Sequence, residues 1–142
     1  MFITRATRHD EPDRQAFFES LDDWKPYKGK AVSFIARDGG VVGNVSLIEI
    51  DPQTLVVEDV VVAESHRGRG TGRQLLQAAM NSRGGRLYLV CHDDALEFYA
   101  KFGFSERPFE ELPEPVKQFF IEDDAAPHQV KEGHVHYFLV AR

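Results

Sequence analysis

Residues 60–76 read VVVAESHRGRGTGRQLL and place an apolar run, a glycine-rich loop and a helical pattern in immediate succession. The three β-branched valines at the start suit a buried strand. Gly68, Gly70 and Gly72 leave the loop almost without side chains, so a ligand can approach its backbone closely. Apolar residues then recur at helical spacing, namely Leu75, Leu76, Ala79 and Met80. The stretch therefore predicts a strand, a tight loop and a helix.

A loop of this kind at a helix N-terminus favours an anionic ligand. Unpaired amide N–H groups and the helix dipole both point at the ligand, and Arg67, Arg69 and Arg73 add positive charge. The Walker pattern fails because no Gly-Lys is followed by Ser or Thr. The dinucleotide fingerprint also fails, since Arg73 stands at its third glycine position. From the residues alone, two interpretations remain: a phosphate or pyrophosphate site, or a simple glycine-rich turn.

Two motifs together point to a family. The spacing Arg67-x-x-Gly70-x-Gly72 resembles the acyl-CoA-binding motif of the GNAT superfamily, the Gcn5-related N-acetyltransferases. Residues 95–104, ALEFYAKFGF, are similar to the GNAT helix that follows the fifth strand and ends in an FY…GF signature. One predicted strand lies between the motifs, as the family requires. The resemblance covers Val56 to Phe104, whereas the N-terminal half agrees in element order only.

Alternation and turn signals extend this pattern along the chain. Gly-containing turns and period-two alternation predict strands, and capping residues with helical spacing predict helices. Strands are predicted at Phe2–Thr7, Ala31–Arg37, Val41–Ile50, Leu55–Ala63, Arg86–Cys91 and Val135–Val140, with helices from Asp10, from the glycine loop, over Ala95–Phe102 and over Val116–Ile121. The expected fold is α/β of the α+β type, a GNAT-like mixed and mostly antiparallel central sheet, splayed between strands 4 and 5 and flanked by helices. We expect one domain over residues 1–142.

The resemblance implies an amine attacking the thioester of acetyl-CoA as cosubstrate. Such an amine is largely protonated near neutral pH, so a base must remove a proton and the departing thiolate benefits from an acid. Tyr99 matches the family tyrosine placed to protonate the CoA sulfur, although it also suits packing beside Phe98 and Phe102. Glu58, an acid within an apolar strand, is the predicted base. Asp59 is the second choice, because a bulge would exchange the two faces of the strand.

The resemblance also assigns the cofactor site. A backbone N–H of Val60 or its neighbour would face the oxyanion, and the pantetheine arm would pair with the edge of the same strand. The predicted cofactor-binding residues are Val60, Val61, Val62, Arg67, Gly68, Arg69, Gly70, Thr71, Gly72, Arg73, His92 and Phe98. His92 stands where the family often has asparagine. It suits a hydrogen bond to the pantetheine arm, an acid or base role of its own, or mere proximity to a helix cap.

The composition of the chain excludes several classes of protein and of binding partner. The chain has 142 residues, 42% hydrophobic and 28% charged, with a net charge of -6 that argues against a nucleic-acid surface. Cys91 is the only cysteine, so we expect a packed thiol rather than a disulfide or a nucleophile. No apolar run approaches the ~20 residues of a membrane span, and the N-terminus lacks a signal-peptide core. We therefore expect a cytoplasmic protein without a membrane partner.

The acceptor is less well specified. Acidic clusters at residues 22–23, 110–114 and 122–124 hint at a cationic amine, either polyamine-like, another small molecule or a peptide, although solvated acidic faces are common. A loop containing Trp24, Pro26 and Tyr27 suits either a ligand pocket or a lid packed on the core. His128, His134 and His136 give only weak support for a metal site, so none is expected. The resemblance also implies a homodimer.

Two rival functions belong to other classes. A non-catalytic acyl-CoA-binding sensor would keep the glycine loop without needing Tyr99 or Glu58. A phosphate binder that does not use CoA would bind nucleotides instead. The two candidate catalytic residues favour the enzyme.

Overall fold

The computed structural model of the protein describes residues 1–123 and 135–142. Its strands are β1 (Phe2–Arg5), β2 (Val32–Asp38), β3 (Gly40–Asp51), β4 (Thr54–Val62), β5 (Arg86–Cys91), β6 (Ser105–Arg107) and β7 (Tyr137–Ala141). Its α-helices are α1 (Glu11–Glu19), α2 (Thr71–Ser82), α3 (Leu96–Ala100) and α4 (Glu114–Glu122). Short 3-10 turns precede α1, α2, α3 and α4.

The strands form one mixed sheet in the order β1-β2-β3-β4-β5-β7-β6. The pairs β1–β2, β2–β3, β5–β7 and β6–β7 are antiparallel, while β4–β5 is parallel. The parallel ladder joins Thr54–Val56 to Arg86–Tyr88, although both strands continue beyond it. The predicted mixed, mostly antiparallel sheet and its crossover are confirmed, and the short ladder agrees with the predicted splay.

Internal contacts divide the chain into two compact units. The first unit comprises residues 1–48 and 57–84, and the second comprises residues 49–56 and 85–142. The single domain expected over residues 1–142 stays a prediction.

The first unit has apolar helix faces packed on its strands. Helix α1 buries Phe17 and Phe18 in a cluster with Ile35, Val41 and Val61. Helix α2 contacts β1 and β2, and its Leu75 is fully buried. A Cβ at residue 43 would lie 2.8 Å from Leu75 Cδ1, so a glycine there allows α2 to approach closely.

The second unit is built around aromatic residues and β5. Phe120 of α4 lies 5.3 Å from Phe138 of β7 between ring centroids, and Phe109 lies 5.1 Å from Phe138. Phe120 and Val116 are fully buried, as is Leu87 of β5. Helix α4 therefore belongs to the core of this unit. The short helix predicted over Val116–Ile121 is confirmed, and it extends beyond that range at both ends.

Several predicted boundaries move for local reasons. β1 ends at Arg5 because Thr7 caps the following turn, with its hydroxyl accepting from the His9 N–H at 3.3 Å. Asp10 does not cap α1 through its side chain, since that carboxylate accepts from the Thr7 N–H and from Arg37. β7 begins at Tyr137 rather than Val135. Strand β6 was not predicted.

Within the described parts of the chain, every helix is too short or too polar to cross a membrane.

Candidate active site

Asp59 interrupts the extended backbone of strand β4. This residue has φ +52°, a left-handed conformation that costs about 1–3 kcal/mol and persists only where neighbours enforce it. Its carboxylate accepts from Trp24 Nε1 at 3.1 Å and from the Tyr27 N–H at 2.9 Å, while its carbonyl accepts from Asn44 Nδ2 at 3.0 Å. Asp59 thus fastens the loop after α1 to β4. The adjacent Glu58 is half-buried, with Oε1 shielded from solvent, and stays the predicted base.

A buried polar network supports the backbone at Asp59 and was not predicted. Asn44 is fully buried, and its Oδ1 accepts from Arg14 Nε at 2.8 Å. Ser46 Oγ accepts from Arg14 Nη2 at 3.3 Å and lies 2.8 Å from Ser33 Oγ. The network therefore runs from the guanidinium of α1 to the backbone of Asp59. The signal for it was the polar pair within the apolar sequence of β3.

The valines after Asp59 occupy two environments. Val61 is buried in the core of the first unit, whereas Val60 and Val62 are half-buried. The Val62 carbonyl accepts from Arg67 Nε at 3.1 Å, so this arginine side chain braces the end of β4. The proposed oxyanion contact through the Val60 N–H stays a prediction.

The glycine loop, Arg67–Arg73, has the backbone shape expected of an anion site. Gly68 has φ +77° and Gly70 has φ +79°, conformations that glycine adopts without a Cβ penalty. Gly70 is the N-cap of α2, and its carbonyl accepts from the Gln74 N–H at 3.0 Å. The N–H groups of Thr71, Gly72 and Arg73 therefore lie in the first turn, where a helix provides no acceptor for them. These groups, with the helix dipole, fit a phosphate or pyrophosphate.

Charged groups surround the loop at the surface. Arg69 and Arg73 are exposed. His66 Nε2 lies 2.8 Å from Asp38 Oδ2, and its Nδ1 lies 2.8 Å from Ser65 Oγ. The hydrogen bond from His66 and the nearby positive charges, including that of Arg69, lower the pKa of the Asp38 carboxyl. This anchor joins the β2–β3 turn to the residues just before the glycine loop.

The predicted acid lies in the second unit. Tyr99 is 8% exposed and packs edge-on against Phe98 at 5.1 Å and against Phe104 at 5.7 Å between ring centroids. Phe98 also contacts Phe102 at 5.4 Å. The packing fixes the tyrosine ring, which is compatible both with a catalytic acid and with a purely packed aromatic residue. Its role as an acid, and that of Phe98 in cofactor binding, stay predictions.

The remaining predicted groups of the second unit lie at the end of β5. The His92 ring is stacked on the His136 ring at 5.4 Å. Burial and two nearby acids raise the pKa of Cys91 to about 11, so its thiol is neutral at pH 7 and suits packing rather than nucleophilic attack. His128 and His134 lie outside the described residues. Among the residues described, no cluster of three histidine, cysteine or acidic groups could hold a metal ion.

A cavity of about 680 Å³ lies between α1 and the following loop, within the first unit. We call it the α1 cavity. It is lined by Ala6, Thr7, Arg8, Glu11, Arg14, Gln15, Phe18, Glu19, Trp24, Pro26, Tyr27, Lys28, Gly29, Lys30, Ala31 and Ser33. The aromatic loop predicted either to line a pocket or to act as a lid therefore does line a cavity.

Comparison with known proteins assigns the family. A family model described as the acetyltransferase (GNAT) domain matches residues 29–106, just over half of the chain. The chain belongs to the GNAT acetyltransferase family. Acetyl-CoA is the cosubstrate of this family, and the glycine loop is where the GNAT motif was found in the sequence.

Individual relatives agree with this assignment. Mouse N-alpha-acetyltransferase 80 is 45% identical over an alignment of 83 positions, and the match covers 54% of this chain and 24% of that protein. The N-acetylglutamate synthase of Neisseria gonorrhoeae, complexed with coenzyme A and N-acetyl-glutamate, has a TM-score of 0.72 at 19% identity, covering all of this GNAT chain and 35% of the synthase. An IAA acetyltransferase from Bacillus cereus has a TM-score of 0.67 at 22% identity, covering 98% and 97% of the two chains. This GNAT chain thus spans about a quarter of the mouse relative.

The predicted site residues fall into two groups. Glu58, Val60, Val61, Val62 and the whole glycine loop belong to the first unit, whereas His92, Phe98 and Tyr99 belong to the second. Sequence reasoning missed Arg14, Asn44 and most of the side chains that line the α1 cavity.

Proposed function

We propose that this GNAT protein transfers the acetyl group of acetyl-CoA to an amine nitrogen. The observation that carries the proposal is the strand, glycine loop and helix of residues 54–82. Gly68 and Gly70 adopt positive φ values there, and the first turn of α2 follows directly. This backbone supplies N–H donors for a pyrophosphate with no side chain in the way.

Each proposed residue has a defined step. Acetyl-CoA supplies an acyl group activated as a thioester. Glu58 takes a proton from the acceptor ammonium, so that the amine nitrogen can form a bond to the acyl carbon as the carbon–sulfur bond breaks. A backbone N–H at Val60 donates to the carbonyl oxygen as negative charge develops on it. Tyr99 gives its phenolic proton to the departing sulfur, which leaves CoA as a thiol, and the second proton that the nitrogen loses on becoming an amide restores the phenol.

The acceptor we favour is an α-amino group. The name of the mouse relative, an N-alpha-acetyltransferase, supports this choice. An α-amino group titrates near ~7.7–8.0, whereas a lysine side chain titrates near ~10.4. A larger fraction of an α-amine is therefore neutral at pH 7, and a single carboxylate base suffices for the remainder.

Calorimetry of acetyl-CoA, CoA and ATP with the wild type and Gly70→Glu tests the cofactor half of this function. We expect acetyl-CoA and CoA to bind tightly to the wild type and ATP to bind weakly or not at all. The glutamate should abolish binding, because it strains a residue at φ +79° and places negative charge beside the N-terminus of α2.

Gly103→Glu is the matched control. Gly103 has φ +87° just after α3 in the second unit and has open space around it, so the substitution reproduces the strain and the charge outside the glycine loop. This variant should bind acetyl-CoA like the wild type. A folded wild type that does not bind acetyl-CoA would exclude the proposed function. Binding without turnover on any amine would support the non-catalytic sensor.

The homodimer, the cytoplasmic location and the absence of nucleic-acid and membrane partners stay predictions.

A further inference from the structure

The α1 cavity is basic, in contrast to the chain as a whole. Four basic and two acidic side chains line it, whereas the chain carries a net charge of -6. The basic residues are Arg8, Arg14, Lys28 and Lys30. Positive charge is thus concentrated in this cavity against the overall charge of the protein.

The two acidic side chains have partners within the protein. The Glu11 carboxylate accepts from Arg14 Nη1 at 3.4 Å, and Glu19 Oε1 accepts from Gln15 Nε2 at 3.0 Å. Within residues 1–123 and 135–142, by contrast, Lys28 and Lys30 form no ion pair with a carboxylate. With four basic and two acidic side chains in its lining, the cavity has an excess of positive charge.

Arg14 joins the cavity to the strand that carries the predicted base. Its side chain is 13% exposed, and its Nε is fixed by Asn44, which in turn holds the carbonyl of Asp59. A guanidinium has five N–H donors in a rigid fork. One hydrogen of Nη2 is left after its bond to Ser46. Arg14 is thus positioned to donate into the cavity.

The aromatic wall of the cavity leads to the same strand. Trp24 and Tyr27 line the cavity, and both donate to the carboxylate of Asp59, the neighbour of Glu58. An acceptor whose anionic group lies near Arg14 would therefore have the rest of its structure directed along this wall towards β4.

We propose that the α1 cavity binds a carboxylate of the acceptor, with Arg14 as the buried donor and Lys28 and Lys30 at the rim. The acceptor is then an amine that also carries an acidic group, and a polyamine is excluded by repulsion. This inference rests on the proposed function in one respect: the amine bound in the cavity is taken to be the group that accepts the acetyl. The binding of a carboxylate by the cavity does not depend on turnover.

Kinetics with matched pairs of acceptors test the preference. One pair is free glutamate and glutamine, and the other is a tripeptide amide beginning with aspartate and its counterpart beginning with asparagine. Putrescine represents the cationic class. We expect the acidic member of a pair to have a KM lower by about tenfold, as expected for a charge-assisted hydrogen bond. Preference within the first pair alone identifies a small-molecule acceptor, and preference within the second alone identifies a peptide.

Variants tie the preference to the cavity. Lys28→Gln combined with Lys30→Gln should raise the KM of the acidic member about tenfold and so remove the preference within the pair. Lys25→Gln is the control, because Lys25 lies in the same loop but does not line the cavity. Equal KM values within both pairs, or a preference for putrescine, would overturn the inference.

Calorimetry with glutarate separates this inference from the proposed function. Glutarate carries two carboxylates and no amine, so it reports on the cavity alone. Glutarate that binds the wild type but not the double variant supports the cavity even if no amine is acetylated. Failure of glutarate to bind, together with equal KM values, excludes the site while acetyl transfer itself stands.

Discussion

The glycine loop and the α1 cavity belong to the same unit but present different chemical groups. The loop offers N–H groups of the main chain, fixed by the positive φ values of Gly68 and Gly70 and by the first turn of α2. The cavity offers side chains from the turn after β1, from α1, from the adjoining loop and from β2. A main-chain site depends on backbone shape and tolerates most changes of side chain. A site made of side chains loses its function when one functional group is removed by substitution.

The same difference separates the two steps of the proposed reaction. In that proposal the pyrophosphate is bound by main-chain groups of the first unit, whereas proton transfer uses one side chain in each unit. Substitutions that leave the backbone unchanged should therefore affect turnover far more than cofactor affinity. Substitutions of single side chains test this difference when turnover and cofactor affinity are measured on the same variant.

Tyr99→Phe removes one oxygen and should lower kcat by about 10²-fold or more, the usual contribution of a general acid. The affinity for acetyl-CoA should be unchanged, because the ring still packs against Phe98 and Phe104. Steady-state kinetics and calorimetry measure the two quantities. Tyr88→Phe, at another buried tyrosine of the same unit, is the control and should retain full activity. Unchanged turnover in Tyr99→Phe would remove this residue from the mechanism.

Glu58→Gln should lower kcat/KM by about 10²-fold near neutral pH. A base acts in its deprotonated form, so the wild-type rate rises with pH through the pKa of the base. Without that base the rate follows deprotonation of the amine alone, and the profile shifts to alkaline pH. The pH dependence of kcat/KM measures the shift, with Glu97→Gln on α3 as an exposed control. An unaltered profile would reject Glu58 as the base.

Asp59→Asn should reduce the free energy of unfolding by about 1.5–3 kcal/mol, because a buried carboxylate that accepts from two N–H groups is lost. Its pH–rate profile should match that of the wild type. Urea denaturation measures the first effect, with the exposed Asp22→Asn as control. If stability were retained while the acidic limb of the profile disappeared, Asp59 rather than Glu58 would be the base.

Arg69→Gln removes a full charge from the glycine loop but none of its N–H donors. We expect the Kd of acetyl-CoA to rise only about two- to fivefold, as for other exposed charges, and the difference to shrink at high salt. Calorimetry at two salt concentrations measures it, with the exposed Arg107→Gln as control. A hundredfold loss would show that side chains, rather than the main chain, carry cofactor binding.

The sequence predicted the glycine loop because its signals are local. Three glycines, a preceding valine run and helical spacing all lie within residues 60–80. The α1 cavity was not predicted as a basic site because its lining residues come from separate segments that only the fold brings together. Arg14 looks like an ordinary helix residue, and nothing in the sequence pairs it with Asn44.

Two further misses have physical causes. Strand β6 has three exposed residues, Ser105–Arg107, and pairs at one edge through its backbone, so it shows no apolar alternation. The left-handed conformation of Asp59 was not predicted, since aspartate tolerates this conformation without requiring it. Backbone geometry enforced by distant partners is the part that sequence patterns do not carry.

The smallest expected effect concerns the anchor of α1, which forms one wall of the cavity. The Thr7 N–H and the Arg37 guanidinium both donate to Asp10 and lower the pKa of its carboxyl. A carboxyl whose pKa is depressed in the folded state stabilises the fold above its unfolded value of about 3.9, and this contribution is lost as the pH falls through the folded pKa. Asp10→Asn should therefore show a smaller fall in Tm than the wild type between pH 5 and pH 2.

Thermal unfolding across that pH range provides the measurement, with the exposed Asp22→Asn as control. The control should keep the wild-type slope of Tm against pH, because Asp22 has no donor fixed to its carboxylate within the described chain. Equal slopes for Asp10→Asn and the wild type would show that the ion pair with Arg37 contributes nothing to holding α1. The cavity wall would then depend on the buried contacts of Arg14 and Phe18 alone, and its shape should be insensitive to acid.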